Sequence, residues 1–474
     1  MAVCGGRLCG ASLVRRFPEL LRPDFCELWG GTETATIPTM DTKIERLKEV
    51  LAKQLAEARQ RTRWLLDEVS DQNLYRQHDP IMSPLIWDYG HIGNYEELWL
   101  LEKAFGKGLS DRALYDIYDA SLHPREERPS LDLLDREGAN RYLDAVRAAV
   151  LEGLEAADLE GGGPLLKGGF VYRMVLQHEC QHNETMLQTL QLMKGEGYGP
   201  IAALELPEGN PTDEMVRIPG GAFVMGTDDR AWALDNERSV HEVEVGSFYL
   251  DKTPVTNRAY LEFVEDVGYE RAELWEPEGW AWIEEQRISA PRHWYQREPH
   301  SWWTQRFGFD EPLRMDAPVE HASFFEADAY ARWAGKRLPT EAEWEKAASW
   351  DPVSGTKRLF PWGDEPPNPE RANLDQLAFR AADTGAYPAG SSAYGALGMV
   401  GDVWEWTASD FEAYPGFESF PYREYSEVFF GPDYKVLRGG SWATRPYAIR
   451  NTFRNWDYPI RCQLFCGFRC ASDA

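Results

Sequence analysis

The hydrophobic period of this 474-residue chain changes near its middle, and this change constrains the fold more than any other feature. Between about residues 41 and 194, apolar residues recur every three or four positions, which is the spacing of amphipathic helices. After a stretch rich in Gly, Pro and acidic residues at 195–213, short alternating runs replace that period. The pattern predicts an α+β protein with two domains, of which the first is helical and the second contains short strands with a few helices.

The helical half contains four candidate helices, which together predict a four-helix bundle whose interior can hold metal ligands. The expected helices cover about 41–70, 84–104, 131–157 and 169–194. Ser83 is the expected N-cap of the second helix, with Pro84 in its first turn, and Ser130 is the expected N-cap of the third. In the second half, the expected strands lie at 215–218, 222–225 and 240–250, and the expected helices at 326–334 and 341–348.

We divide the chain into an extension at 1–40, a bundle domain at 41–205 and a second domain at 206–474. The extension holds three of the seven cysteines. It lacks an apolar core followed by a small-residue cleavage site, so it does not match a secretory signal. We interpret it as a disordered segment or a misassigned start, and a targeting segment is the alternative.

The composition limits the partners of the chain. The formal net charge of −28 argues against nucleic acid or an anionic membrane as partner. No apolar run of about 18 residues occurs, so no membrane-spanning helix is expected. The sparse cysteines outside the extension indicate a reducing compartment. We therefore expect a cytoplasmic protein, and we expect it to be a monomer.

Two histidines, His178 and His182, lie four positions apart in the fourth expected helix and so share one of its faces. Such a pair can bind one metal ion, and His91 in the second expected helix is the candidate third ligand. Glu179 follows His178, as in zinc metalloproteases, but the third ligand of those enzymes commonly lies downstream of the pair. Three histidines with open positions also suit non-haem iron, and the spacing does not choose between iron and zinc.

Motifs in both halves resemble known families. The first half contains SPLIWDYGH at 83–91, EELWLL at 96–101 and HECQHNETML at 178–187. They resemble the DinB-like four-helix bundle of the ergothioneine-biosynthesis sulfoxide synthases (hercynine oxygenases). The second half contains GAFVMG at 221–226, KRLPTEAEWE at 336–345 and GDVWEWT at 401–407. They are similar to formylglycine-generating enzymes (sulfatase-modifying factors), which have a C-type-lectin-like fold. The synthase family carries both signatures in this order.

The resemblance implies an oxidoreductase that uses non-haem iron(II) and O2. Such an enzyme joins a thiol to C2 of hercynine, the Nα-trimethylated form of histidine, and the product is a sulfoxide. His91, His178 and His182 match the iron ligands of the family.

The resemblance also assigns substrate contacts. Matches to residues that contact hercynine are Gln181, Asn455 and Trp456. Matches to residues that bind γ-glutamylcysteine are Arg125, Arg128, Asp457 and Arg461, which favours this donor over free cysteine. Tyr422 is the match to an active-site tyrosine that acts as a proton donor or redox partner, and Tyr425 is the alternative.

The residue types support part of this assignment. Arginine binds carboxylates bidentately, so Arg125 and Arg128 can face one anion, although a solvated pair matched to neighbouring glutamates explains them from sequence alone. Aromatic faces such as that of Trp456 attract trimethylammonium groups, but the chain has 19 Trp and a structural turn is the alternative.

Other functions remain open at this stage. One is a selenoneine-type synthase, which would join a selenium sugar to hercynine. Another is a metal-dependent thiol transferase with a lectin-like binding module. A formylglycine generator uses a cysteine pair in its own domain, and no cysteine lies between Cys180 and Cys462. The three C-terminal cysteines lie in the region expected to form the last strands and are expected to be core residues, so a formylglycine generator is disfavoured.

Overall fold

The computed structural model describes residues 40–199 and 205–474, so the predictions for residues 1–39 and for the last residues of the first domain lie outside the described residues. The helices of the first domain are α1 (Met40–Leu66), α2 (Asp71–Tyr75), α3 (Leu85–Glu97), α4 (Arg112–Ile117), α5 (Arg136–Ala156) and α6 (Phe170–Gln191). The four long ones, α1, α3, α5 and α6, form the predicted bundle, in which α6 packs against both α1 and α3. After Glu97, the backbone of α3 continues as a π-helical turn, Leu98–Lys103.

Both predicted N-caps in this domain are wrong. Pro84 occupies the N-cap position of α3, and the Ser83 hydroxyl accepts a hydrogen bond of 2.6 Å from Arg128. Ser130 lies in a short 3-10 turn, where its hydroxyl donates to the carbonyl of Glu127. The third long helix starts later, because the Asp135 carboxylate accepts the backbone N–H of Gly138 at 2.6 Å and so caps the first turn.

The second domain combines short strands with helices, as predicted. Its strands are β1 (Met215–Ile218), β2 (Gly221–Met225), β3 (His241–Val245), β4 (Phe248–Asp251), β5 (Trp294–Glu298), β6 (Ser301–Arg306), β7 (Phe309–Pro312), β8 (Trp350–Asp351), β9 (Thr356–Lys357), β10 (Trp404–Phe411), β11 (Gly431–Arg438), β12 (Asn455–Asp457), β13 (Cys466–Gly467) and β14 (Ala471–Asp473). Its helices are α7 (Asn257–Glu265), α8 (Pro277–Gln286), α9 (Phe324–Trp333) and α10 (Glu341–Ser349). The run predicted as one strand at 240–250 is two strands, β3 and β4, which belong to different sheets.

One sheet of this domain positions the site. Its strand order is β12-β11-β10-β13, and β12 pairs with β11 so that Trp456 lies opposite Val436. The indole of Trp456 stacks on Phe411 of β10, with 4.1 Å between the ring centroids and 6° between the planes. Strand β12 is therefore held by both its backbone pairing and its side chains.

Buried polar contacts join the two domains. Glu184 of α6 accepts hydrogen bonds from the Trp404 indole at 2.8 Å and from the hydroxyls of Ser441 and Thr444 at 2.7 Å each. Arg445 of the second domain forms a buried ion pair of 2.5 Å with Glu57 of α1. Because buried polar groups are costly without partners, these contacts favour a single relative placement of the domains. Within residues 40–199 and 205–474, no helix combines the length and apolar character needed to cross a membrane.

Candidate active site

The three predicted metal ligands converge inside the bundle. Helix α6 presents His178 and His182 one turn apart, and α3 brings His91 to them. One ring nitrogen from each lies within 4.8 Å of the others, and the ring centroids are 4.5–5.1 Å apart. Within residues 40–199 and 205–474, it is the only cluster of at least three His, Cys, Asp or Glu side chains with such spacing.

Neighbouring groups orient the imidazoles. The Nδ1 atom of His91 lies 2.8 Å from the carbonyl of Tyr118, so a proton on Nδ1 leaves the Nε2 lone pair free for a metal. The ring of His178 stacks on Tyr95, with centroids 3.7 Å apart and planes 9° apart. The Nδ1 atom of His182 lies 3.3 Å from a carboxylate oxygen of Asp88. Outer partners of this kind hold metal-binding histidines in place.

The electrostatics also suit a metal. Burial, assisted by the neighbouring His182, lowers the pKa of His91 to about 3. Burial and the other two histidines lower the pKa of His178 well below its usual range. Both rings are therefore neutral near pH 7 and present lone pairs. Three imidazole nitrogen donors fit a divalent transition metal and leave coordination positions for other ligands.

Glu179 faces away from this cluster. Its carboxylate accepts hydrogen bonds from Arg59 and Thr62, both at 2.8 Å, and from Arg147 at 3.2 Å, all inside the bundle. A zinc protease with this motif needs the glutamate beside its metal-bound water. The buried pairing of Glu179 therefore argues against the metalloprotease alternative.

A cavity of about 330 Å³ opens between the domains beside His182. The predicted site residues in its wall are Arg125, Arg128, Gln181, Tyr425, Asn455, Trp456 and Asp457. We call it the interdomain cavity. It brings together guanidinium groups, amides, aromatic rings and carboxylates from segments far apart in the chain.

The arginines of this cavity differ in burial. Arg125 is exposed, whereas Arg128 is buried and donates to the Ser83 hydroxyl at 2.6 Å and to the carbonyl of His123 at 3.0 Å. The Arg128 guanidinium lies 3.6 Å from the ring centroid of Trp87. Burial lowers the pKa of Arg128 to about 10, against the attraction of Asp88, so the group is charged near pH 7. Arg128 is thus a fixed cation in the wall of the cavity and not part of a solvated surface pair.

Asp457 is paired with Arg461, the last of the four arginine and aspartate residues expected at the thiol-donor site. The Nε atom of Arg461 lies 3.6 Å from an Asp457 carboxylate oxygen, although Arg461 does not line the interdomain cavity. Burial raises the pKa of the Asp457 carboxyl above its usual value, and Arg461 and Arg125 act in the opposite direction. Arg461 therefore reaches the cavity only through Asp457.

The two candidate tyrosines lie in different places. The Tyr425 hydroxyl accepts a hydrogen bond of 3.2 Å from Gln181 and lines the interdomain cavity. The Tyr422 hydroxyl lies 3.1 Å from that of Tyr95, outside this cavity but beside the histidine cluster. Burial raises the pKa of both phenols, so both are protonated near pH 7.

Sequence reasoning missed several residues of the site. Asp88 and Tyr95 lie three positions before and four positions after His91, which places them on the same face of α3, and this spacing was the available signal. Phe453 and Glu184 line the interdomain cavity; Glu184 lies within the motif at 178–187, whereas no local pattern marks Phe453.

The similarities to known proteins agree with this architecture. Sequence profiles match the DinB superfamily at residues 54–186 and the sulfatase-modifying factor enzyme 1-like domain at residues 202–474. A protein named hercynine oxygenase from Mycolicibacterium smegmatis is 47% identical, over 90% of this chain and 99% of its own. Proteins of the same name from Mycolicibacterium thermoresistibile and Mycobacterium tuberculosis are 47% and 46% identical, over 89% and 90% of this chain and 94% and 99% of theirs. The chain therefore belongs to the hercynine oxygenase family, the ergothioneine-biosynthesis enzymes that its motifs resemble.

Proposed function

We propose that this protein is an iron(II)- and O2-dependent sulfoxide synthase that joins the thiol of γ-glutamylcysteine, or of cysteine, to C2 of hercynine. The observation that carries the proposal is the position of three clustered imidazoles beside a cavity that combines arginine side chains with aromatic and carboxylate groups. We further propose that residues 41–205 hold the metal, that residues 206–474 supply much of the substrate contact, and that the protein acts as a cytoplasmic monomer.

The overall reaction balances with dioxygen as the only oxidant. The C2–H bond of hercynine and the S–H bond of the donor break, and a C–S bond and an S=O bond form. Four electrons pass to O2, of which one oxygen atom enters the sulfoxide and the other leaves as water. An iron(II) ion held by His91, His178 and His182 would supply the redox chemistry with dioxygen.

The side chains of the interdomain cavity have separate tasks in this proposal. Arg125 and Arg128 bind the carboxylates of the thiol donor, and Asp457, held by Arg461, accepts its ammonium group. Asn455 and Gln181 hydrogen-bond hercynine, and the indole edge and face of Trp456 contact its apolar and cationic parts. These contacts orient C2 and the sulfur toward each other, which lowers the entropic part of the barrier.

The choice of donor can be tested directly. The iron(II)-loaded protein is incubated with hercynine, O2 and, in turn, γ-glutamylcysteine, cysteine or a selenium sugar, and the products are identified by mass. We expect a hercynyl sulfoxide of γ-glutamylcysteine as the main product. Reaction with the selenium sugar alone would support the selenoneine-type alternative. Absence of O2 consumption with every pair would support a thiol transferase.

Replacing Arg128 by lysine is expected to raise KM for γ-glutamylcysteine by about tenfold to a hundredfold. The reason is that a charge-assisted hydrogen bond is worth about 1.5–3 kcal/mol and lysine lacks the bidentate fork. KM for hercynine stays within about twofold in this variant if the two substrates use separate contacts. Arg141→Lys, at an exposed arginine paired with Glu137, is the matched control and leaves both constants unchanged. Equal increases in both KM values for R128K would contradict the assigned role.

Replacing Tyr425 by phenylalanine is expected to lower kcat by about 100-fold or more if the Tyr425 hydroxyl donates a proton during the reaction. Proton transfer by a positioned side chain usually contributes at least this much to the rate. Tyr422→Phe is made in parallel, since this hydroxyl is the other candidate and bonds Tyr95. Tyr434→Phe is the control, because its hydroxyl bonds Tyr458 and does not line the interdomain cavity. Single-turnover rates with both substrates show which phenol matters. A normal kcat in both Y422F and Y425F would exclude these two phenols as the proton donor.

A further inference from the structure

A second cavity, of about 960 Å³, also reaches the histidine cluster. His91 and His178 lie in its wall together with Tyr95, Trp99 and Tyr422. We call it the apolar cavity. It shares no lining residue with the interdomain cavity, whose wall contains the third histidine, His182. The predicted metal ligands therefore stand between two separate cavities.

The wall of the apolar cavity differs chemically from that of the interdomain cavity. Much of its wall is aliphatic and aromatic and includes Leu98, Trp99, Leu165, Phe420 and Phe429. Its charged residues are few: Lys103 and Glu424 are exposed, and Asp119 is partly exposed. Nothing in this wall resembles the Arg125 and Arg128 pair. Charged substrates such as an amino acid betaine or a peptide thiol therefore find fewer ionic partners here than in the interdomain cavity.

Two paired phenols lie beside the histidines in the wall of the apolar cavity. The hydroxyls of Tyr95 and Tyr422 lie 3.1 Å apart, and Trp99 stacks on Tyr422 with 5.0 Å between the ring centroids. The Tyr95 ring covers one face of His178. Aromatic rings thus flank the two histidines on this side, and a neutral molecule in the apolar cavity needs no ionic partner to reach them.

We propose that the apolar cavity is the route by which dioxygen reaches the histidine cluster, while the organic substrates occupy the interdomain cavity. The proposal rests on the proposed function, because it assigns an entrance to one of the reactants of that function. Small nonpolar molecules partition into apolar cavities that charged substrates do not fill. Two entrances also let the gas arrive when bound hercynine and thiol close the other side.

The first test uses xenon and needs neither metal nor turnover. Crystals of the metal-free protein are pressurised with xenon, a gas that binds apolar cavities. We expect anomalous density inside the apolar cavity, next to Trp99 or Leu165, and none in the interdomain cavity. Xenon only in the interdomain cavity, or in neither, would count against the route.

The second test measures entry to the metal. Nitric oxide, a dioxygen analogue that gives an optical signal with iron(II), is mixed anaerobically with the iron-loaded protein saturated with both organic substrates. In Leu165→Trp, the larger side chain narrows the apolar cavity, and we expect the association rate of nitric oxide to fall by about tenfold, which corresponds to a barrier higher by about 1.4 kcal/mol. Leu109→Trp, an exposed position that does not line the cavity, is the matched control with an unchanged rate.

A second variant that narrows the apolar cavity keeps the test valid if Leu165→Trp fails to fold. Ala120 is exposed at the cavity wall, so Ala120→Trp changes the route without altering the core. Unchanged association rates of nitric oxide in both Leu165→Trp and Ala120→Trp, when both are folded, would overturn the inference. A wild-type protein that binds no iron, or gives no nitric oxide signal, would refute the proposed function instead, and the xenon result would still report on the cavity.

Discussion

Replacing His182 by alanine is expected to abolish stable iron binding and to lower kcat by more than about 100-fold. Removing a residue that only supports a metal ligand lowers activity by up to about 100-fold, so the loss of a ligand itself is expected to have a larger effect. The remaining pair, His91 and His178, lies on two helices and offers only two nitrogen donors. Metal content after dialysis and the rate of sulfoxide formation are the measurements.

The matched control for this variant is His300→Ala. The His300 side chain is 86% exposed and lies outside the cluster, so the variant keeps full metal content and activity. Circular dichroism checks that H182A is folded. We expect it to be folded, because replacing one side chain at a partly buried position leaves the packing of α6 largely intact. A folded H182A with a full equivalent of bound iron would show that the three histidines are not the ligand set.

Replacing Glu179 by glutamine is expected to lower the free energy of unfolding by about 3–5 kcal/mol, the usual cost of breaking a buried ion pair from one side. The carboxylate is 1% exposed, and its loss leaves the buried guanidinium groups of Arg59 and Arg147 with one partner fewer. Denaturant unfolding of the metal-free protein is the measurement. Glu137→Gln, at a surface glutamate paired with Arg141, is expected to change stability by less than about 1 kcal/mol.

The stability lost in E179Q also depends on pH. Burial by itself raises the pKa of the Glu179 carboxyl, but Arg59 and Arg147 outweigh burial and hold the pKa below its ordinary value of 4.5. A group with a depressed pKa in the folded state stabilises the protein above its unfolded pKa and loses that contribution as the pH falls. The difference between wild type and E179Q is therefore expected to be full above pH 4.5 and to shrink below it. A difference that grows on acidification would contradict the buried pairing.

The local pattern of the chain was sufficient for the fold class, because each helix and each motif is encoded within a short segment. The bundle, the strands of the second domain and the one-turn spacing of His178 and His182 follow from such segments. The two N-caps failed for a related reason. Ser83 and Ser130 have the residue type of a cap, but the nearby Arg128 and Glu127 bond their hydroxyls. A cap depends on which hydrogen bonds compete for the side chain, and the residue type alone does not contain that information.

The family resemblance, confirmed by the relatives, went further than periodicity, since it implied iron where the histidine spacing left iron and zinc open, and it implied the substrate contacts. The roles of the individual site residues stay predictions. The division at residue 205 also stays a prediction, because residues 200–204 lie outside the described part of the chain.

By itself, the sequence determined a two-domain α+β protein of the hercynine oxygenase family, with a pair of histidines on one face of a helix. Only the tertiary structure decided which groups face that pair. The side chain of Glu179 points into the core of the bundle, away from the histidine cluster. Tyr425 lines the interdomain cavity, whereas Tyr422, three positions earlier, lines the apolar cavity. The physical reason is that these environments arise from contacts between segments hundreds of residues apart, such as Gln181 with Tyr425 and Tyr95 with Tyr422. No local period of the chain encodes such contacts.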